Sequence, residues 1–509
     1  MNAGSRIVVN TVVMYGRIIA TMIIALLSSR WILQALGEED FGIYTLIAGL
    51  LSMLMFLNMT MSTASQRFLS YALGKRDLSL SKETFYQCCV LHLLGGLIVF
   101  CLLESVGQLI LHTVLSIPLG KMGDAVFVLH CLSLSAFFSV VSVPYNAVLI
   151  SHENILYVAC VNVLDAVLKL LIAFLLLSYM GERLRLYAFC VMCAQILVVV
   201  LYYWYCYKHY DETRYSLHKI KDFSLFKSLT SYVGWNMIGS VSSLLRTQGV
   251  AVLLNTFFGV AINAAYGIAT QVRGQLSFFS TAIVTAARPQ IVKSEGAGDR
   301  CRVHSLSAMT CKVTFLLLSM FSIPLVIEMP TVLELWLADV PAYTVEFTRF
   351  IIVFSLVFQF SIGISIPIES VGDIKYLQIF AGGLHFLVLP VGYVLLKLDM
   401  QPYSVITMII IEEIIAITIK LFISKKVTGL DITAFLRHTV CPAVLTVALI
   451  AALCSIMCLI VEASLLRLVI LCVMSLLFTP SLSYIFALTK GEKTKIMMII
   501  VKAKNKLIG

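Results

Sequence analysis

What this sequence has least of is charge. Only 13% of its 509 residues are charged, and its 27 acids are outnumbered by 37 Lys and Arg. A soluble domain carries about 25% charged residues, so a water-soluble protein is excluded. No polar block is long enough for a separate soluble domain. The chain also lacks H-E-x-x-H, G-x-x-x-x-G-K and D-x-D-x-D runs, so the motif search for catalysis is negative and no enzyme is expected. Nearly all of the 14 cysteines fall inside apolar runs, where Cys serves as a small hydrophobe. The Cys190–Cys193 pair has CxxC spacing but no second ligand pair, so no metal is expected. The first apolar run, about residues 7–33, is too long for a signal-peptide core and has no A-x-A cleavage site after it, so it reads as a retained helix.

What the chain does have is apolar length: 60% of residues are hydrophobic and the mean hydropathy is +0.97. The fold class expected is an all-α polytopic membrane protein of about 14 helices. They fall at about 7–33, 42–68, 85–111, 124–150, 155–179, 186–207, 230–257, 263–287, 304–328, 345–369, 376–397, 403–424, 439–461 and 465–489. Turn signals such as "LGEED", "LGKRD", "SHEN" and "EGAGD" punctuate them. Lys and Arg concentrate in alternate connections, so both termini are expected in the cytoplasm. The net charge of +10 is thereby topology plus attraction to anionic lipid, and nucleic acid is not needed as a partner.

Eight cations remain within predicted helices. Arg67, Lys312, Arg349 and Lys420 lie within about two turns of a helix end and can snorkel to headgroups. Arg17, Arg246 and Arg273 lie deeper, at a cost of about 2.5 to 3.5 kcal/mol each unless they face water or an anion. Helix eight carries one polar stripe, Asn263, Tyr266, Thr270, Arg273, Ser277 and Ser280. Helix one repeats the pattern with Asn10, Arg17, Thr21 and Ser28, and helix seven with Asn236, Ser240, Ser243 and Thr247, Arg246 standing at the stripe's edge. Such stripes also serve as interhelical hydrogen bonding. With no acid on helices one, seven and eight, a hydrated cavity whose cations await an anion is the expected arrangement.

Acids occur elsewhere at depth. Asp165 and Lys169 are spaced for an internal ion pair, with a coupling or gate role as the other reading. Glu412 and Glu413 are adjacent, about 100° apart around the helix, so at most one can reach Lys420; the other is a candidate for proton coupling. A shift of 222 residues aligns Gly37 to Asp77 with Gly259 to Asp299, matching Gly37 with Gly259, Gly74 with Gly296 and Asp77 with Asp299. The shift equals six helices. The organisation expected is an N-terminal six-helix lobe over 1–207, a basic linker over 208–229, a second lobe over 230–424, two further helices over 425–489 and a basic tail over 490–509.

The stretches "ALGEEDFGIYTL", "TASQRFLSYALGKRD", "LLRTQGVAVLLNTFFG", "NAAYGIATQV" and "RPQIVKS" resemble the polysaccharide-exporter (Wzx-like) branch of the MATE-related MOP flippase superfamily. The resemblance implies two MATE-like lobes that move undecaprenyl-diphosphate-linked oligosaccharide from the cytoplasmic to the periplasmic leaflet by alternating access. It implies a place in O-antigen or capsule assembly beside other polysaccharide-assembly proteins, with no cofactor and with H+ or Na+ coupling left open. Arg17, Arg246 and Arg273 match positions where that family usually has cavity cations. A MATE-type multidrug cation antiporter is the alternative, for which midplane acids converging on the cavity are expected. A membrane-embedded glycan polymerase or ligase would need reactive groups on a long external loop. The longest such segment here, about Met329 to Thr344, holds no His or Cys.

Overall fold

A computed structural model describes residues 3–113, 117–214, 223–337 and 339–494, and among them every regular element is helical. The first elements are α1 (Ala3–Gly74), α2 (Leu78–Leu102), α3 (Gln108–Thr113), α4 (Met122–Ser151), α5 (Ile155–Ser178) and α6 (Arg183–His209). A π-helical turn at Leu103–Gly107 joins α2 to α3. There follow α7 (Phe223–Phe258), α8 (Val260–Gly296), α9 (Arg300–Ile327), α10 (Met329–Trp336), α11 (Thr344–Val371), α12 (Gly383–Lys397) and α13 (Ser404–Thr428). The chain ends in α14 (Ile432–Phe435), α15 (Cys441–Ile460) and α16 (Leu465–Leu482). Among the described residues 11 helical stretches are long and apolar enough to cross a membrane. The protein is therefore a multi-pass membrane protein. Two compact units divide it, Val9–Met237 and the residues from Ile238 onward. Parts of the basic linker and tail, residues 215–222 and 495–509, lie outside the described residues.

The first two expected helices are one element, α1, interrupted only at Gly37 with φ 79° and ψ 173°. The "LGEED" stretch is thus not a loop. Gly37 makes the break, and Glu38, Glu39 and Asp40 then occupy the first turn of the resumed helix, where its dipole favours acids. The guanidinium of Arg183 donates to the carbonyl of Ala35 at 2.8 Å, answering one of the acceptors that the break exposes.

The same device appears 222 residues later. Gly259, with φ 79° and ψ −172°, precedes α8. Both α1 and α8 end at glycines, Gly74 and Gly296. The next helices start from Asp77 and Asp299, whose carboxylates accept the amides of Leu80 and Arg302, each at 3.0 Å. Arg76 and Gly298, again at the same offset, both adopt positive φ. The sequence match therefore marks two copies of one chain path.

The core of the first unit includes Ile32, Ile43, Leu129, Leu176 and Tyr187, with Leu69, Val148 and Tyr202 in a second cluster. The second unit packs Val250, Leu254, Phe347 and Ile406 around α7, α8, α11 and α13. Small residues let helices approach. A methyl built on Gly363 would overlap the Cys311 Sγ and stand 3.3 Å from its Cα, and Ser307 Oγ donates to the Gly363 carbonyl at 2.5 Å. Helices α15 and α16 do not stand apart from this unit. Ile450, Cys454 and Leu471 share a core cluster with Ile323 of α9, and Ser475 Oγ donates to the Met320 carbonyl at 2.7 Å. Arg467 meets the buried carboxylate of Glu328, and Lys312 donates to Glu492 at 2.8 Å.

Four cations expected to snorkel are held by protein instead. Lys312 is 1% exposed in its pair with Glu492. Arg349 donates to the Val326 carbonyl at 2.9 Å near the end of α9, and Arg67 lies over the rings of Phe68 and Tyr71 at 4.4 and 4.9 Å. Lys420 bonds Ser361. The glycines separate two causes of damage. Gly37→Ala meets open space but keeps a φ that only glycine adopts freely, so about 1–3 kcal/mol of strain is expected. Gly363→Ala is expected to cost about 1–3 kcal/mol through overpacking, and only there should a companion Cys311→Gly change recover part of the melting temperature.

Candidate functional site

Helix α7 brings Arg246 into the second unit's core, 3% exposed and surrounded by apolar side chains. A cation there needs partners. They come from α13: Nη1 of Arg246 donates to Glu412 Oε2 at 2.8 Å and to Glu413 Oε2 at 3.1 Å. Adjacent residues point about 100° apart, yet one nitrogen placed between them reaches both. Glu412 Oε1 faces His385 Nδ1 of α12 at 2.9 Å, while Glu413 Oε1 lies 3.7 Å from Lys420 Nζ. Arg246 and Lys420 thus balance Glu412 and Glu413.

This corrects two expectations. Arg246 is not a bare cation, because its carboxylates arrive from a helix remote in sequence. Nor is either glutamate without a partner, since both meet Arg246.

Arg273 is different. It stands on α8, half-buried, with its guanidinium 4.6 Å from the ring centre of Phe354 and 5.8 Å from that of Phe358. Arg246 shares the Phe354 ring at 5.3 Å. The negative faces of these rings offset part of the cost of a desolvated cation without neutralising it. Among the described residues no carboxylate lies within ion-pair distance of Arg273.

The two arginines line one small, partly open cleft with Thr247, Tyr266, Thr270, Ile351, Phe354, Ile406 and Ile409. Tyr266 OH reaches the Thr247 carbonyl at 3.5 Å. The cleft offers one spare positive charge, hydroxyls beside it and aromatic walls. Phe354 in the wall, Phe358 beside Arg273 and His385 beside Glu412 were not expected. A lone His in the apolar run "GGLHFLVLP" was the only sequence signal for His385, and nothing in the periodicity of α11 singles out its phenylalanines.

The other expected residues fall outside this cleft. Ser277 Oγ donates to the Arg273 carbonyl at 2.8 Å, the Ser243 carbonyl accepts from Thr247 Oγ1 at 3.0 Å, and Asn263 sits in the first turn of α8. Asn10, Arg17, Asp165, Lys169 and Asn236 belong to the Val9–Met237 unit. There Asn10 Nδ2 donates to the Glu153 carbonyl at 3.3 Å, and no carboxylate among the described residues pairs with half-buried Arg17. Lys169 Nζ meets Asp165 Oδ2 at 2.7 Å, the internal pair that the spacing predicts.

Arg246 and Arg273 should therefore fail differently when replaced. Arg246→Met leaves two buried carboxylates without their shared cation and is expected to lower stability by about 3–5 kcal/mol, read as thermal unfolding in detergent. The triple change with Glu412→Gln and Glu413→Gln should recover much of that loss.

A model of the MatE family matches residues 10–175. Among solved structures, an outward-facing multidrug resistance MATE family transporter of the MOP superfamily has TM-score 0.69 at 13% identity, covering 84% of this chain and 97% of that one. A MATE structure in the straight conformation gives TM-score 0.71 at 14% identity, with 84% and 97% covered. A MOP superfamily transporter from Pyrococcus furiosus Vc1, described as having a binding pocket of reverse polarity that suggests a different function, gives TM-score 0.68 at 13% identity, with 86% and 97% covered. No curated protein matches the sequence. The chain is an all-α multi-pass membrane protein with the fold of the MATE transporters of the MOP superfamily.

Proposed function

We propose that this protein is an alternating-access transporter that moves undecaprenyl-diphosphate-linked oligosaccharide from the cytoplasmic to the periplasmic leaflet, for assembly of a surface polysaccharide such as O-antigen or capsule. The observation that carries the reading is Arg273, a cation in an aromatic-walled cleft with no carboxylate of its own. A lipid diphosphate cannot enter hydrocarbon with its charge unanswered, and a guanidinium fork matches phosphate oxygens while staying ionised. Tyr266 and Thr270 give hydroxyl partners beside it. The polyprenyl tail stays in lipid throughout. In this reading both termini face the cytoplasm of the inner membrane, and the basic segments there lie against anionic lipid.

A MATE-type multidrug cation antiporter is the second reading, favoured by the MatE match over 10–175 and by the buried acids Glu412 and Glu413. Against it, Arg246, His385 and Lys420 already engage those acids, so neither Glu412 nor Glu413 is free to hold a cationic drug.

Deleting the gene separates the two. Lipid-linked glycan should accumulate in the cytoplasmic leaflet of the deletion strain; unchanged glycans with new drug sensitivity would favour the antiporter. Arg273→Ala should fold at least as well as the parent, because it removes a charge costing about 2.5 to 3.5 kcal/mol at the midplane, yet abolish glycan export. Arg273→Lys should restore only part of it, since an ammonium keeps the charge without the bidentate fork. Normal export by the alanine variant would end the flippase reading.

A further inference from the structure

A guanidinium is flat, and its five N–H groups point outward in its own plane. A phenyl ring against it therefore attracts the cation without using up a donor. Arg273 is held in this way. Its guanidinium lies 4.6 Å from the Phe354 ring centre and 5.8 Å from that of Phe358, and among the described residues none of its N–H groups meets an acceptor. Arg246, 5.3 Å from the same Phe354 centre, is only half committed. Its Nη1 serves Glu412 and Glu413, while its Nε and Nη2, which together form a side-on fork, meet no acceptor among the described residues. Arg273 lies outside ion-pair distance of the carboxylates that Arg246 touches, so the two cations share a ring without sharing a partner. Phe354 itself is fixed: it is 3% exposed on α11, packs in the core cluster with Val250 and Phe347, and stacks on Phe358 at 5.7 Å.

We infer that Phe354 is the specificity-determining residue of this cleft: by holding both guanidiniums to one ring it sets their spacing, so that the two phosphoryl groups of a diphosphate each meet one arginine and the cleft prefers a diphosphate to a single phosphate. This rests on the reading that the cleft takes a lipid-linked anion. Arg273 presents a complete fork to one phosphoryl group, and Arg246 presents its Nε–Nη2 edge to the other while Nη1 stays on its glutamates. The ring is suited to the task because it is uncharged. A carboxylate in its place would hold Arg273 as firmly but would neutralise it and compete with the ligand, whereas the ring leaves every in-plane donor of Arg273 available. An aliphatic side chain would fill the volume without attracting either cation. Arg273 would then have less to hold it against the repulsion of Arg246, and the spacing that two joined phosphoryl groups require would be lost. Phe358 touches Arg273 alone, so it contributes to holding that one cation and not to the spacing of the pair.

The test measures binding to the full-length protein in lipid nanodiscs. The probes share a geranyl chain: geranyl methyl diphosphate, geranyl methyl phosphate, and an analogue carrying the same two charges on phosphoryl groups separated by an ethylene glycol unit; geraniol is the uncharged reference. The parent should bind the diphosphate about ten- to a hundredfold more tightly than the phosphate, the worth of a second contact between charged groups, and the spaced analogue should gain little over the phosphate. Phe354→Leu should bring the diphosphate and the phosphate towards equal affinity, whereas Phe358→Leu should weaken both alike and keep their ratio. If Phe354→Leu does not fold, 3,4,5-trifluorophenylalanine at position 354 keeps the shape of the ring, strips its negative face and should lower the same ratio. Dimethyl diphosphate tells a lipid headgroup from a free diphosphate: binding weaker than that of the geranyl ester supports the lipid-linked ligand, and equal binding overturns it. A parent that binds the spaced analogue as tightly as the diphosphate, or a folded Phe354 variant that keeps the parent's ratio, would overturn the inference and leave the anion-binding cleft standing. A parent that binds none of the geranyl phosphates better than geraniol would overturn both.

Discussion

A guanidinium inside an apolar helix bundle has to be answered by carboxylates, carbonyls or aromatic faces, because water is not there to do it. Much of the second unit is arranged around that requirement. Arg246 on α7 draws Glu412 and Glu413 of α13 to one nitrogen, Glu412 in turn engages His385 of α12, and Glu413 draws in Lys420, which reaches Ser361 on α11. Four helices are thus held in register by one connected set of charges. Such a network is weak as a source of net stability, since desolvation offsets most of its attraction. Its value lies in placement, for it fixes where the neighbouring Arg273 stands and leaves that cation as the surplus.

The same requirement governs the ends and edges of the helices. Arg183 answers the Ala35 carbonyl at the Gly37 break, Arg349 answers those closing α9, and Arg67 spreads over the rings of Phe68 and Tyr71. Lys312 and Arg467 use the remaining option, carboxylates, and in doing so bind the C-terminal helices and the segment after them to α9. Cations that a sequence reading assigns to the headgroup region therefore belong to helix–helix contacts. A long side chain near a helix end can reach either lipid or a neighbour, and only packing chooses.

The sequence by itself determined the class of protein and the repeated chain path. Apolar runs of spanning length leave few alternatives where every backbone polar group must be satisfied internally, which only helices or closed barrels achieve. Gly37 and Gly259 were legible as a pair because a φ near 79° selects glycine whatever surrounds it, and Asp77 and Asp299 because a cap acts on its own helix. The polar stripe of α8 was readable for the same reason: its period depends only on helix geometry, and it delivered Tyr266, Thr270 and Arg273 to one cleft. Partnership was not legible. Arg246 and Glu412 are 166 residues apart, and no local pattern says which face of α7 meets which face of α13. Which cations are balanced and which one is left over is a property of the folded bundle, because charges at depth act over the few ångströms between packed helices rather than along the chain.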